Sequence, residues 1–222
     1  MNKLSQMTLP RYTEGEERAN TLSHLAGFIF ALFSLYTATY RSLNLDKPHV
    51  TAGCLIYGIS MAAVYAVSSV YHALNPGRLK KLMRIADHCV IYLLIAGTYT
   101  PILLAAVMPV SPVTATTLLV FVWVCAAVGI LLNALDMKRW SIISMFLYVC
   151  MGWCILLGWD AAVQSIPFSG VMWLLTGGIS YTVGAIAYGL GKRLRYMHTV
   201  FHIFVLAGSI MQFVCIAAYI IG

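Results

Sequence analysis

Seven apolar runs separated by short polar breaks organise the chain, at residues 20–43, 50–74, 87–109, 113–135, 141–159, 168–190 and 197–221. Crossing the hydrocarbon core of a bilayer takes roughly 20 residues of α-helix, and each run is close to that length. The breaks carry turn chemistry, as in Asn75-Pro76-Gly77, the stretch from Pro109 to Pro112 and that from Gly189 to Arg195. The pattern predicts an all-α integral membrane bundle of seven helices over residues 20–222. A polar segment, residues 1–19, precedes it and lacks the basic-then-apolar plan of a cleavable signal peptide. Pro101 is placed to interrupt the third helix, and Gly177, Gly178 and Gly184 to let helices approach closely.

Composition strengthens this picture. Only 9% of the 222 residues are charged and 61% are hydrophobic, whereas a soluble domain has roughly 25% charged residues. A net charge of +7 raises the question of nucleic acid. The basic residues sit in short stretches beside apolar runs with no aromatic-interleaved basic surface, so the charge reads as membrane topology and no nucleic-acid partner is expected. Cys54, Cys89, Cys125, Cys150, Cys154 and Cys215 all fall inside apolar runs, which suits buried thiols rather than a disulfide framework.

Orientation follows from Lys and Arg, which concentrate in cytoplasmic loops. Twelve of them (Lys3, Arg11, Arg18, Arg78, Lys80, Lys81, Arg84, Lys138, Arg139, Lys192, Arg193, Arg195) fall in one set of alternate loops, and only Arg41 and Lys47 in the other. The expected topology is N-terminus cytoplasmic, C-terminus outside.

With that topology, polar residues inside the spans can be compared by depth. His198 and His202 are four apart at the start of the last span, so two imidazoles share one helix face. His72 lies about one turn from the end of the second span, with Ser68 one turn deeper on the same face. Asp87 begins the third span, and Glu17, Asn20 and His24 share a face where the first begins. Four segments thus bring ionisable and polar groups to one leaflet, where they are rare unless they serve a purpose. His72, His198 and His202 are a usual ligand set for zinc with its fourth position left to water, whose pKa such a site lowers to roughly 7. Asp87 suits the base or orienter for that water, and Ser68 a hydrogen-bond donor. For Ser68, a bond to the backbone four residues earlier is the plain alternative. For Glu17 and Asn20 it is helix capping and first-turn charge.

The motifs Glu17 to His24, Ser68 to His72, Asp87 to Pro101 and His198 to His202 resemble those of the hemolysin III family, the bacterial branch of the progestin and adipoQ receptor proteins, which are similar to alkaline ceramidases. The resemblance covers nearly the whole chain. It implies a bacterial inner-membrane protein with zinc near the cytoplasmic face, held by His72, His198 and His202, with Asp87 on the zinc-bound water and Ser68 close by. It also implies a membrane lipid as substrate or ligand and a role in membrane lipid homeostasis, through hydrolysis of a lipid amide or ester as in ceramidases. His88 stands where receptor-like members have an aromatic residue; it points about 100° away from Asp87, as a neighbour rather than a fourth ligand.

Whether the chain is an enzyme stays open at this point. A zinc-stabilised membrane sensor or regulator without chemistry is the alternative to a hydrolase, and it predicts a fourth protein ligand. A pore-forming hemolysin follows from the family's name alone.

Overall fold

The computed structural model describes residues 7–191 and 194–222, so Lys3, Lys192 and Arg193 of the charge pattern lie outside the described residues. Among the described residues seven helices are long and apolar enough to cross a membrane, and there is no strand. They are α1 (Glu14–Leu43), α2 (Pro48–Ala73), α3 (Arg78–Pro101, continued by a π-helical segment Ile102–Val107 and a short turn Met108–Val110) and α4 (Pro112–Asp136). Then come α5 (Ser141–Trp153, a 3-10 segment Cys154–Gly158, and Trp159–Ser165), α6 (Phe168–Leu190) and α7 (Met197–Cys215, ending in a π-helical segment Ile216–Ile220).

Two helices begin earlier than their apolar runs. α1 starts at Glu14, where Thr13 and Glu16 form a reciprocal cap: the Thr13 hydroxyl accepts from Glu16 N at 3.2 Å, and Glu16 Oε2 accepts from Thr13 N at 2.9 Å. α3 starts at Arg78, so the basic stretch Arg78, Lys80, Lys81 and Arg84 is helical rather than a loop. In both cases a polar first turn extends a helix that hydropathy locates only by its apolar part. Past Pro101, regular α-helix gives way to the π-helical segment.

Small residues set how closely the helices approach. Gly27, Ala31, Ser34 and Ala38 form the buried stripe of α1, spaced so that all lie on one helix face. A Cβ on Gly58 of α2 would fall 2.7 Å from the backbone Cα of Leu35, so α1 and α2 meet almost backbone to backbone there. Gly177 and Gly184 make the same kind of room on α6 for Gln212 and Phe204 of α7, while Gly178 faces Trp153 of α5. α4 buries Ala115, Leu118, Val122, Ala126, Gly129 and Asn133, a stripe with one residue every three or four. The six cysteines are free thiols. Large apolar side chains such as Leu22, Ile29, Phe33, Ile142 and Phe146 face outward, as they do where the solvent is hydrocarbon.

Because the crossings alternate, the starts of α1, α3, α5 and α7 and the ends of α2, α4 and α6 share one end of the bundle. His24, His72, Asp87, His88, His198 and His202 are all at that end.

Candidate metal centre

His72 and His202 are nearly fully buried and His198 is buried. One nitrogen from each lies within 4.8 Å of the other two. Nε2 of His198 stands 3.2 Å from Nε2 of His72 and 3.1 Å from Nε2 of His202. The helical spacing of four supplies the second contact; the packing of α2 against α7 supplies the first.

The outer nitrogens assign the tautomers. His72 Nδ1 is 2.7 Å from Glu17 Oε2, a carboxylate that only accepts, so Nδ1 carries the hydrogen and Nε2 is a lone pair. His202 Nδ1 faces the Asn20 carbonyl at 3.3 Å and the Ser23 hydroxyl at 3.1 Å, and Ser23 itself donates to that carbonyl at 2.9 Å. His202 Nδ1 therefore donates, and its Nε2 is also a lone pair. A single N–H on His198 can serve only one of these two acceptors, whereas a cation serves all three nitrogens. Four-coordinate zinc with Zn–N of about 2.0–2.1 Å sets tetrahedral N···N separations of about 3.3–3.4 Å, close to those present. The cluster can hold a metal ion.

The first helix supplies the outer partners. Asn20 is fully buried; its Oδ1 accepts from the Thr199 hydroxyl at 2.6 Å and its Nδ2 approaches His72 Nδ1 at 3.4 Å. Glu17 Oε1 pairs with Lys80 Nζ at 2.6 Å. Capping belongs to Thr13 and Glu16, which frees Glu17 and Asn20 for these contacts. Glu16 also accepts from the backbone N–H of Tyr196 at 2.9 Å, tying the start of α1 to the turn before α7, where Tyr196 adopts positive φ.

Tyr12 covers the cluster. Its ring stacks on His198 with centroids 5.2 Å apart and lies 5.7 Å from the ring of His72. Burial raises its phenol above the ordinary tyrosine value. Arg84 holds the same segment by donating to the Thr8 carbonyl at 2.7 Å.

A cavity of about 1670 Å³ adjoins the cluster, with His24, Ser68, Asp87, His198 and His202 on its wall. Asp87 is half-buried, and its carboxylate makes no hydrogen bond to another described residue. Ser68 is buried on the cavity wall, and it is the adjacent Ser69 that bonds the backbone carbonyl four residues earlier, at 2.7 Å to Tyr65. Away from the histidines the wall is mixed, with Ile102, Ile155 and Leu174 beside polar Thr98, Asn133 and Gln212. Ile142 and Phe146 of α5 line it while also facing outward, so the cavity reaches the lipid-facing side of the bundle there.

His88 lies apart from the three clustered histidines: its Nδ1 donates to the Arg84 carbonyl at 3.0 Å and its Nε2 faces the Tyr188 hydroxyl at 3.4 Å. His24 sits edge-on to His202 with centroids 3.6 Å apart, and both its ring nitrogens are buried without a hydrogen-bond partner among the described residues. Lys80, Ser23, Thr199 and Tyr12 escape sequence reasoning. Lys80 reads as topological charge, and nothing local marks the others.

Comparison with known proteins places these features. A family model described as haemolysin-III related matches residues 12–213, from Tyr12 through every residue of the cluster. A hemolysin-3 homolog of Bacillus subtilis (strain 168) is 35% identical over 208 residues, covering 94% of this chain and 96% of that protein. Hemolysin-3 of Bacillus cereus is 35% identical over 206 residues, covering 93% and 92%. Human monocyte to macrophage differentiation factor is 26% identical over 172 residues, covering 74% and 69%. No solved structure matches the chain.

Proposed function

The chain belongs to the haemolysin-III related family of membrane proteins, and from that premise we propose that it is a zinc-dependent hydrolase of a lipid amide or ester. The observation that carries this reading is the convergence of three imidazole nitrogens, two of them from residues on the wall of a large and mostly apolar cavity that reaches the lipid-facing surface. His72, His198 and His202 hold the metal. When bound, zinc supplies Lewis acidity and lowers the pKa of water to roughly 7. Asp87, on the cavity wall, orients the attacking water and takes its proton. Ser68 donates to the substrate carbonyl. The apolar part of the cavity receives the acyl chain and keeps bulk water from the reacting bond. Water is consumed, and a fatty acid and an amine or alcohol are released.

The charge asymmetry supports placing this end of the bundle at the cytoplasmic leaflet, where a lipid enters sideways past α5. A zinc clamp in a sensor without chemistry requires a fourth protein ligand. Among the described residues the group that can hold a metal has three, which leaves a coordination position open and favours the hydrolase.

Metal analysis of the purified chain beside a His198→Ala, His202→Ala double variant, with fatty-acid release measured on both, tests the reading. Zinc near one per chain and release, both lost in the variant, are expected. Zinc without release from a broad panel of ceramides, phospholipids and acyl amides would favour the clamp; absence of zinc would overturn the proposal.

A further inference from the structure

The Glu17 carboxylate divides its two oxygens between two buried partners. Oε2 accepts from His72 Nδ1 at 2.7 Å, and Oε1 accepts from Lys80 Nζ at 2.6 Å. Lys80 is in the first turn of α3, where the helix dipole disfavours a cation and no acidic residue compensates. It is also buried, and an unpaired ammonium there would be strongly destabilising. Its place follows from its partners. Besides Glu17, it donates to the carbonyls of Leu74 at 2.8 Å and His72 at 3.4 Å, at the end of α2 where carbonyls lack helical partners. The ammonium's three hydrogens are thereby used, and the Glu17 carboxylate is fixed against His72.

The other neighbour of His72 Nδ1 is Asn20, which approaches with its amide nitrogen at 3.4 Å because its oxygen is occupied by Thr199. Asn20 therefore offers His72 a donor and Glu17 offers it an acceptor. If Asn20 prevailed, Nδ1 would accept, the ring hydrogen would move to Nε2, and the lone pair needed at the cluster would be gone. We propose that Glu17 is a positioning residue that, anchored by Lys80, sets the His72 tautomer so that Nε2 is offered to the metal. This rests on the metal-binding part of the proposed function and not on hydrolysis. Carboxylates behind metal-bound imidazoles are a general device, and their loss typically costs roughly 10- to 100-fold in metal affinity.

The local chemistry gives an unusual test. In Glu17→Gln, Lys80 still requires an acceptor and takes the amide oxygen, so the amide nitrogen turns to His72 and joins Asn20 as a second donor. Zinc affinity, read by competition with a chelator on the full-length purified chain, falls roughly 10- to 100-fold. Adding Lys80→Met removes that demand and lets the amide oxygen turn to His72, so the double variant Glu17→Gln, Lys80→Met recovers most of the lost affinity. A purely structural role for the pair predicts the reverse, with the double variant no better than the single. Unchanged affinity in Glu17→Gln, or no recovery in the double variant, overturns the proposal. Should the variants fail to fold, nitrogen NMR of the metal-free wild type labelled at histidine decides it: His72 with its hydrogen on Nδ1 is expected, and a hydrogen on Nε2 overturns it. A wild type that binds no zinc fails the proposed function, while the NMR result still decides the role of Glu17; zinc without turnover removes only the hydrolase.

Discussion

Tyr12, two residues ahead of the first helix, stacks on His198 with ring planes 23° from parallel. The contact covers the cluster and joins the amino-terminal segment to the last helix. Tyr12→Ala is expected to speed zinc release by about fivefold, which is what losing a ring stack of about 1 kcal/mol amounts to. Tyr12→Phe keeps the ring and is expected to match wild type. Stopped-flow transfer of zinc to a chelator measures both, and an equal effect of the two substitutions would assign the role to the hydroxyl instead.

Asp87 shares the cavity wall with the histidines while standing outside the group that can hold a metal. Asp87→Ala should leave zinc content at the wild-type level and lower fatty-acid release by roughly 10²–10⁴-fold, the usual contribution of a general base. Parallel metal analysis and release assays read the two quantities separately. Loss of zinc in this variant would make Asp87 a ligand rather than a base.

Ser68 and Ser69 are chain neighbours with opposite surroundings. Ser69 bonds the Tyr65 carbonyl and Ser68 lines the cavity. Ser68→Ala is expected to lower kcat/KM about tenfold, the worth of one hydrogen bond made to substrate, without moving the thermal midpoint. Ser69→Ala should leave turnover unchanged. A thermal shift in the first with turnover intact would return Ser68 to a packing role.

A Cβ on Gly58 of α2 meets both the side chain of Leu35 and, at 2.7 Å, its backbone Cα on α1, so turning the leucine side chain alone does not make room. Gly58→Ala should cost about 1–3 kcal/mol, the range for overpacking. Because α1 carries Glu17 and Asn20, it should weaken zinc binding as well. Gly152→Ala, where nothing lies within 4 Å of the added carbon, is the control. Thermal unfolding and chelator competition follow both effects, and equal behaviour of the two variants would contradict the close approach.

The seven helices are legible in the chain because lipid solvent demands long apolar runs, and that demand leaves a mark in every span. His72, His198 and His202 are legible for a related reason: a buried imidazole in such a run is conspicuous, and the pair at spacing four fixes a face. Polar first turns obscure the starts of α1 and α3, since hydropathy stops where charge begins. Lys80 looks like a cytoplasmic charge until the packing of α3 beside the end of α2 buries it against Glu17. Tyr12 sits in a polar segment whose path is fixed by Arg84 on Thr8 and by Glu16 on Tyr196, contacts that no local pattern encodes. Glu17 and Asn20 share a visible face, but capping explains that face equally well until Thr13 and Glu16 are seen to provide the cap.

His72 and His198 are 126 positions apart, and this separation orders the birth of the protein. During synthesis Glu17, Asn20 and His72 leave the ribosome within the first third of the chain. They wait through four further membrane insertions for the partner that gives them a purpose. A chain released before His198 has His72 without either of its imidazole companions. The three-imidazole cluster therefore forms only once the start of α7 has been made.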